Sequence, residues 1–375
     1  MSIKTAVCRS FDRDALVKGI EQPNVKAVIY FFSIEFERFE VHKAFKQAFP
    51  QAACIGASMM GGWCVGGAVE KGIVAMSLSS DEVAETFIAM QEGVKRDPAL
   101  AAEKVIDELK RKIDYRTINP DTHLGLVFFD GLGRGEEVIK RFTFERGFNL
   151  NLIGGTAADE FKFVRTLISA DGKSSDDGVA VMVLKMKIPF HCGHYVHCLP
   201  TDTSFVITNA DTVKRIVWEI EGQSAAAYYA KAIGVSGADK LTAAHFAKNP
   251  IGIVTGGWRG GEATVYIRSP GAVIDGKGLQ FFCYIENGTR IHLLRTGDII
   301  AHARKSLEDA RHYLLNVQGA LLFNCALRYV EMRELNKVAE FNRVFEGLAF
   351  AGFNTFGEEY FTHHNQTLTA VFFGG

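Results

Sequence analysis

The chain has 375 residues, of which 47% are hydrophobic, and its 42 Lys and Arg nearly balance its 43 Asp and Glu. This composition excludes wholesale disorder, and a net charge of −1 excludes a global basic field that would attract nucleic acid or anionic lipid. The N-terminus has no secretory pattern and the longest apolar runs are strand-sized. We therefore expect a cytoplasmic protein of about two domains, with neither a nucleic-acid nor a membrane partner.

Three similar units recur along the chain. Each unit combines a buried strand, a helix, a second short strand and a glycine corner, and the units occupy residues 27–56, 124–155 and 320–352. Right-handed crossovers would place the strands of such units side by side in one sheet covered by helices. The pattern predicts an α/β fold.

The segment between the second and third units has an antiparallel pattern. Residues 164–169 and 178–185 read as consecutive strands joined by a hairpin turn at 170–173, and glycines near 256–257 and 260–261 bound further strands. The run 298–315 predicts a helix with a carboxylate near its start. We predict two packed α/β lobes with mixed sheets covered by helices, dividing between residues 190 and 220.

Motifs for nucleophilic catalysis are sparse in this sequence. The seven cysteines are scattered without a C-x-x-C pair, which argues against a disulfide framework or a zinc ribbon. The adjacent carboxylates Glu358 and Glu359 would point to opposite faces of a strand, so the pair predicts a solvated edge rather than acid–base partners. Since no nucleophile–base pair has a recognised spacing, we assign no catalytic residue.

The histidines supply the candidate metal ligands. Residues 191–198 contain three His and two Cys on alternating faces of a predicted strand, where either face offers zinc ligands, although a plain strand is the simpler interpretation. His245 lies in an apolar stretch. It is either a core histidine or a neutral imidazole that is available to a haem iron.

Several segments resemble the signatures of the FIST family. The run Phe323-x-Cys325-x-x-Arg328 is similar to the family's "F-x-C-x-x-R" strand end, and residues 351–359 and 364–369 resemble its closing "G-F-x-T-x-G-E … h-N-x-T-x-T". In the N-terminal half, residues 55–61 resemble the "I-G-C-S-T-x-G" corner, with Ala57 in place of the usual Cys. Residues 152–159 resemble the "G-G-x-A-x-D" turn. Together these segments follow the family order and cover nearly the whole chain.

The resemblance implies a FIST-N-like domain over residues 1–200 and a FIST-C-like domain over residues 201–375. It also implies an intracellular ligand-binding sensor, rather than an enzyme, that regulates a partner histidine kinase or another signalling protein. One free-standing branch of about this length binds haem and senses nitric oxide. On that basis haem is the expected cofactor and nitric oxide the expected signal, with His245 as the proximal metal ligand and His194 and His302 as the next candidates.

Two alternatives stay open. A guanidinium at the C-terminal end of a sheet strand suits a carboxylate, so the chain could be a FIST sensor of an amino acid or another small polar metabolite bound near Arg328. The candidate ligand-binding residues are Asn324, Cys325, Arg328, Asn354, Glu358 and Asn365. The further alternative is a Cys-dependent hydrolase that uses Cys325 together with Arg328 and Glu358.

Overall fold

The computed structural model describes residues 3–145, 150–256 and 263–375. The predicted glycine boundary at 260–261 lies outside these residues. The described α-helices are α1 Arg13–Ile20, α2 Val41–Ala48, α3 Pro98–Lys112, α4 Gly135–Thr143, α5 Ala225–Ala232, α6 Ala243–Lys248, α7 Ile299–Tyr313, α8 Ala326–Glu334 and α9 Val338–Val344. The predicted long helix is confirmed as α7, where the Asp298 carboxylate accepts hydrogen bonds from the backbone N–H groups of Ile300 and Ala301.

The strands alternate with these helices along the chain. In the first half they are β1 Lys4–Cys8, β2 Val25–Phe32, β3 Ala53–Ser58, β4 Gly62–Cys64, β5 Gly67–Val69, β6 Ile73–Ser79, β7 Val83–Glu92, β8 His123–Phe129, β9 Asn151–Thr156, β10 Ile168–Ala170, β11 Lys173–Ser175, β12 Gly178–Met186 and β13 Phe190–Val196. In the second half they are β14 Cys198–Asp211, β15 Ile216–Ile220, β16 Gln223–Ser224, β17 Ile251–Gly256, β18 Ala263–Arg268, β19 Pro270–Ile274, β20 Gly278–Phe281, β21 Arg290–Thr296, β22 Val317–Cys325, β23 Ala349–Thr355, β24 Glu358–Tyr360, β25 Thr362–His364 and β26 Thr367–Gly374. The α/β prediction with mixed, helix-covered sheets is confirmed.

Three of the sheets share one topology. Their orders are β1-β6-β2-β3-β10-β11, β7-β12-β8-β9-β24-β25 and β13-β26-β22-β23-β4-β5. Each contains one parallel pair from a predicted unit, flanked by antiparallel strands. The three predicted units are therefore confirmed, but the expectation that they share one sheet is wrong.

Each unit donates its short hairpin to the sheet of another unit. The β4–β5 hairpin of the first unit pairs with β23, β10–β11 of the second pairs with β3, and β24–β25 of the third pairs with β9. The exchange is cyclic and ties the two halves of the chain together. We call each junction between a donated hairpin and its host strand a seam.

The three sheets meet in a common core. Phe31, Phe128 and Phe323 occupy matching positions on the first strand of each parallel pair. Their ring centroids lie 5.6, 5.9 and 6.3 Å apart, so each ring contacts the other two. Helices cover the outer faces: α1 and α2 the first sheet, α3 and α4 the second, and α7 to α9 the third. This arrangement explains why the first strands read as continuous apolar runs.

A fourth sheet is inserted between the second and third units. Its order is β18-β17-β21-β14-β15-β20-β19, with β16 beside β15, and α5 and α6 pack against it. The domain boundary predicted between residues 200 and 201 falls inside β14, and the division itself stays a prediction. The predicted turn at 170–173 exists, but it joins β10 to β11, while β12 leaves for another sheet. That part of the antiparallel prediction is wrong.

Candidate functional site

The three seams carry different residues at one matching position. Opposite the glycine of each corner stands Ser169 in the first sheet, Trp63 in the third and Glu359 in the second. These glycines allow close strand approach. A Cβ on Gly154, for example, would lie 1.9 Å from the Val127 carbonyl oxygen. Because glycine has no side chain, neighbouring side chains determine what fills the space on the outer face of each corner.

Aromatic rings fill two of the seams. In the first sheet the fully buried Tyr30 ring lies over the corner, its hydroxyl 2.7 Å from Ser169 Oγ and its centroid 4.5 Å from that of Phe45. In the third sheet Trp63 is fully buried, and its ring centroid lies 4.6 Å from that of Phe341. Both seams are closed by packed aromatic side chains, as ordinary cores are.

The seam of the second sheet has a polar floor instead. Glu359 Oε1 lies 2.6 Å from His363 Nδ1, and both side chains are buried. Gly357 makes room for the imidazole, because a Cβ there would lie 2.1 Å from His363 Cε1. The prediction of a solvated edge for Glu358 and Glu359 is wrong, since pairing with β9 on one side and β25 on the other buries both carboxylates.

Burial sets the protonation of this pair. Desolvation raises the pKa of Glu359 well above its usual value, and the nearby Glu136 and Glu358 charges raise it further. Desolvation also lowers the pKa of His363 to about 4. At neutral pH the favoured state is a protonated carboxyl that donates to a neutral imidazole, so the floor carries no net charge.

A cavity of about 280 Å³ opens above this floor, and we call it the seam pocket. It lies between α4, the β24–β25 hairpin and the end of the fourth sheet. Its lining residues are Glu136, Lys140, Thr143, Phe144, Arg268, Cys283, Tyr284, Phe361, Thr362 and His363. A neighbouring cavity of about 420 Å³ shares Lys140, Phe144 and Tyr284 with it. Convergent polar groups within partly apolar walls are typical of a small-molecule site.

The charges around the seam pocket are unevenly paired. Glu136 is held by Arg215, whose Nε lies 2.9 Å from Glu136 Oε1 and whose Nη2 also contacts the carboxylate. Among the described residues, neither Lys140 nor Arg268 has a carboxylate partner, and Arg268 Nη1 donates only to the Ile267 carbonyl oxygen. Two unpaired cations therefore line the pocket beside one neutralised carboxylate.

The structure brings together three of the predicted ligand-binding residues near α8. Arg328 Nε donates to Asn324 Oδ1 at 2.9 Å, and Asn324 Nδ2 donates to Asn354 Oδ1 at 2.8 Å. Arg328 Nη1 also donates to His197 Nδ1 at 2.6 Å, and the other nitrogen of that ring lies 2.8 Å from Glu331 Oε2. All five side chains are buried. The Arg328 guanidinium is therefore already bound by Asn324 and His197 inside the protein.

Sequence reasoning missed the roles of His197 and Glu331 in this cluster. Glu331 lies three positions after Arg328 on α8, a spacing that puts both on one helix face and is a usable local signal. His197 lies between β13 and β14, far from Arg328 and Glu331 along the chain, and only the three-dimensional fold brings it between the two charges. Arg328 Nη2 and Glu331 Oε1 have no partner among the described residues.

The remaining predicted ligand residues are also engaged by the protein. Glu358 accepts hydrogen bonds from Thr355 Oγ1 at 2.5 Å and from the Thr367 backbone N–H at 3.1 Å, and burial raises its pKa to about 7. Asn365 Nδ2 donates to the Phe356 carbonyl oxygen. Burial raises the pKa of the Cys325 thiol well above its usual value, which removes the thiolate that a Cys-dependent hydrolase would need.

The three candidate haem ligands lie on separate elements. His245, on α6, is half-buried, and its Nδ1 accepts hydrogen bonds from the Thr242 backbone N–H and lies 2.9 Å from Thr242 Oγ1. The ring of His194, on β13, is tilted against that of His364 with centroids 4.0 Å apart, and burial lowers the pKa of His194 to about 4. His302 Nδ1 lies 3.0 Å from the Asp298 carbonyl oxygen at the start of α7.

Neither of the two cavities beside α4 is lined by a candidate haem ligand. Haem needs an apolar cavity beside its axial ligand, and none of the three histidines lines the seam pocket or the cavity next to it. The described residues also contain no group of three or more His, Cys, Asp or Glu side chains that could hold a metal ion. Haem and its ligands stay predictions.

Two known family models match the chain. The FIST N domain matches residues 26–223 and the FIST C domain matches residues 225–360. Domains of this kind are ligand-binding sensor domains. The chain belongs to the FIST family, as its signature segments indicated.

Other comparisons add little. No curated protein matches the chain significantly. One similar solved structure is a crystal structure of chorismatase, with 10% sequence identity, full coverage of both chains and a TM-score of 0.38. Likeness at that level carries no argument about function. None of the described helices combines the length and the apolar character needed to cross a membrane.

Proposed function

We propose that this FIST protein is a sensor that binds a small polar metabolite in the seam pocket and passes the change to a signalling partner. One observation carries the proposal. At the corresponding glycine corners, two seams are closed by the buried rings of Tyr30 and Trp63, whereas the third has a polar floor beneath an open cavity. A buried Glu–His pair under a cavity is costly for stability alone, and such pairs concentrate at functional sites.

The placement of the pocket supports a sensing role. Its walls come from α4 in the second unit, from the hairpin donated by the third unit and from the fourth sheet, including Arg268. A ligand that contacts all three would favour one arrangement of these parts over others, in proportion to its difference in affinity for each arrangement. A partner that contacts more than one of them would respond to that difference.

The test is a thermal-shift screen of the full chain with a panel of organic acids, amino acids, sugars and nucleotides. We expect at least one compound to raise Tm in the wild type but not in Thr362→Trp, which fills the pocket. Thr117→Trp, which adds the same ring at an exposed site elsewhere, should respond like the wild type. Lys140→Glu serves as a second variant at an exposed lining position. Stabilisation that persists in both pocket variants would place the ligand elsewhere and overturn the proposal.

Haem with nitric oxide as the signal is a second candidate function, and a histidine kinase is the expected partner, as the family resemblance implies. His194 is the candidate ligand with most in its favour, because its Nε2 has no partner among the described residues and its pKa of about 4 keeps the ring neutral. Haemin titration followed by reduction and nitric oxide tests this function. A sharp Soret band that shifts with nitric oxide and is lost in His194→Ala or His245→Ala would support it. Unsaturable uptake that ignores both variants would remove it.

A further inference from the structure

The charge of the seam pocket indicates the charge of its ligand. Lys140 and Arg268 both line the cavity, and neither has a carboxylate partner among the described residues. The Glu136 carboxylate, which also lines it, is neutralised by Arg215. The lining therefore presents an excess of positive charge, which an anionic group on the ligand would complete with charge-assisted hydrogen bonds.

The floor of the pocket does not cancel this positive charge. Glu359 lies beneath the cavity as the hydrogen-bond partner of the lining residue His363, and it donates its proton to that ring in the neutral pair described above. An ionised Glu359 would have repelled an anion in the cavity. With the pair neutral, an anion meets Lys140 and Arg268 without that repulsion.

The walls indicate the shape of the rest of the ligand. Phe144 is 70% exposed and Phe361 is 49% exposed, although both line the cavity beside the half-buried Tyr284. Three aromatic rings around one small cavity bury apolar surface when a flat apolar body enters, and ring-on-ring contacts add to the gain. A volume of about 280 Å³ suits a single ring better than a long chain.

We infer that the ligand of the seam pocket is a small organic anion with a flat apolar body, such as an aromatic carboxylate or phosphate ester. The anionic group contacts Arg268 and Lys140, and the ring lies between Phe144, Phe361 and Tyr284. The inference rests on the proposed function, because it assumes that this pocket is the sensor's ligand site.

Calorimetric titration of the full chain tests the inference with four probes: benzoate, phenyl phosphate, benzamide and inorganic phosphate. We expect benzoate or phenyl phosphate to bind, benzamide to bind about tenfold more weakly or worse, and inorganic phosphate to be weaker than phenyl phosphate. Arg268→Gln and Lys140→Gln should each weaken the aromatic anions about tenfold. The matched variants Arg290→Gln and Lys104→Gln, which lie away from the pocket, should leave binding unchanged.

The outcomes separate the inference from the proposed function. Benzamide that binds as tightly as benzoate would overturn the requirement for an anion, and inorganic phosphate that binds as tightly as phenyl phosphate would overturn the apolar body. If all four probes fail while a neutral panel compound needs an open pocket at Thr362, the inference is wrong and the proposed function stands. If no compound depends on that pocket, both are wrong.

Discussion

Glu359 Oε1 lies 2.6 Å from His363 Nδ1, directly across the short β24–β25 hairpin. The hairpin comes from the third unit, but it completes the sheet of the second unit, so this pair sits where two parts of the chain join. At the matching place in the other two seams stand Ser169 beneath the Tyr30 ring and the Trp63 ring itself. A carboxyl–imidazole pair with a cavity above it is the feature that distinguishes the second sheet.

The protonation of this pair can be tested by an isosteric substitution. If Glu359 is protonated and donates to His363, Glu359→Gln keeps a donor at the same place and should change the free energy of unfolding by about 1 kcal/mol or less at pH 7. Urea unfolding measures the change. A loss of about 3–5 kcal/mol would instead indicate a buried ion pair that has lost one partner.

Acid should destabilise the protein through its buried histidines. Burial lowers the pKa of His194, His197 and His363 to about 4, while the unfolded chain takes up these protons near pH 6.5. Stability contributed by each neutral ring is therefore lost as pH falls from about 6.5 towards 4, at up to about 1.4 kcal/mol per pH unit for each histidine. The unfolding free energy of His194→Gln should fall less steeply than that of the wild type as the pH drops from 7 to 4.

Two variants control this pH experiment. Thr369→Val alters the buried residue that pairs with His194 in the sheet but removes no titrating group, so its slope should match the wild type. Burial raises the pKa of Glu358 from 4.5 to about 7, so this residue has the opposite effect on stability. Its contribution to the free energy of unfolding falls as the pH rises from about 4.5 to 7. In Glu358→Gln, the free energy of unfolding should therefore fall more steeply with decreasing pH than in the wild type. An unchanged slope in His194→Gln would contradict a neutral His194.

The cluster around Arg328 should show strong coupling in a double-mutant cycle. His197 bridges the Arg328 guanidinium and the Glu331 carboxylate inside the protein, so removing one charge leaves the other buried and uncompensated. We expect Glu331→Met to cost about 3–5 kcal/mol and Arg328→Met with Glu331→Met to cost clearly less than the sum of the single changes. Additive losses in urea unfolding would mean that the two charges do not depend on each other.

Removing the Trp63 ring should open a second seam. Trp63→Ala leaves a cavity between Tyr329 and Phe341 and should cost about 3–5 kcal/mol of stability. Indole added to this variant should restore part of the lost Tm, since it refills the vacated space. The half-buried Trp218 offers a matched control, because indole should not rescue Trp218→Ala. Equal rescue of both variants would show that indole acts nonspecifically.

The fold could be predicted from the sequence wherever the interacting residues lie close together along the chain. Each parallel pair was predictable because strand, helix and strand follow one another within about thirty residues, and the Asn324–Arg328 contact spans four positions at the start of α8. The exchanged hairpins were not predictable. Trp63, for example, pairs with Gly352, and no periodicity within a single strand encodes a partner so far along the chain.

The seam pocket could not be predicted from the sequence for the same reason. Lys140, Arg268 and His363 come from three distant segments, and each alone looks like an ordinary surface or strand residue. Adjacent carboxylates suggested a solvated edge at Glu358 and Glu359, but strands on both sides bury them. The useful sequence signal was the pair of acids followed closely by His363, a density of titratable groups that is unusual in a buried hairpin.

A crystal structure of the protein with the tightest-binding compound of the thermal-shift panel would show whether the seam pocket is the ligand site. We expect density for the compound between α4 and the β24–β25 hairpin, within hydrogen-bonding distance of Arg268 or Lys140 and above the Glu359–His363 pair. Density for the compound beside Arg328, beside His194 or His245, or at any place outside the seam pocket would contradict it.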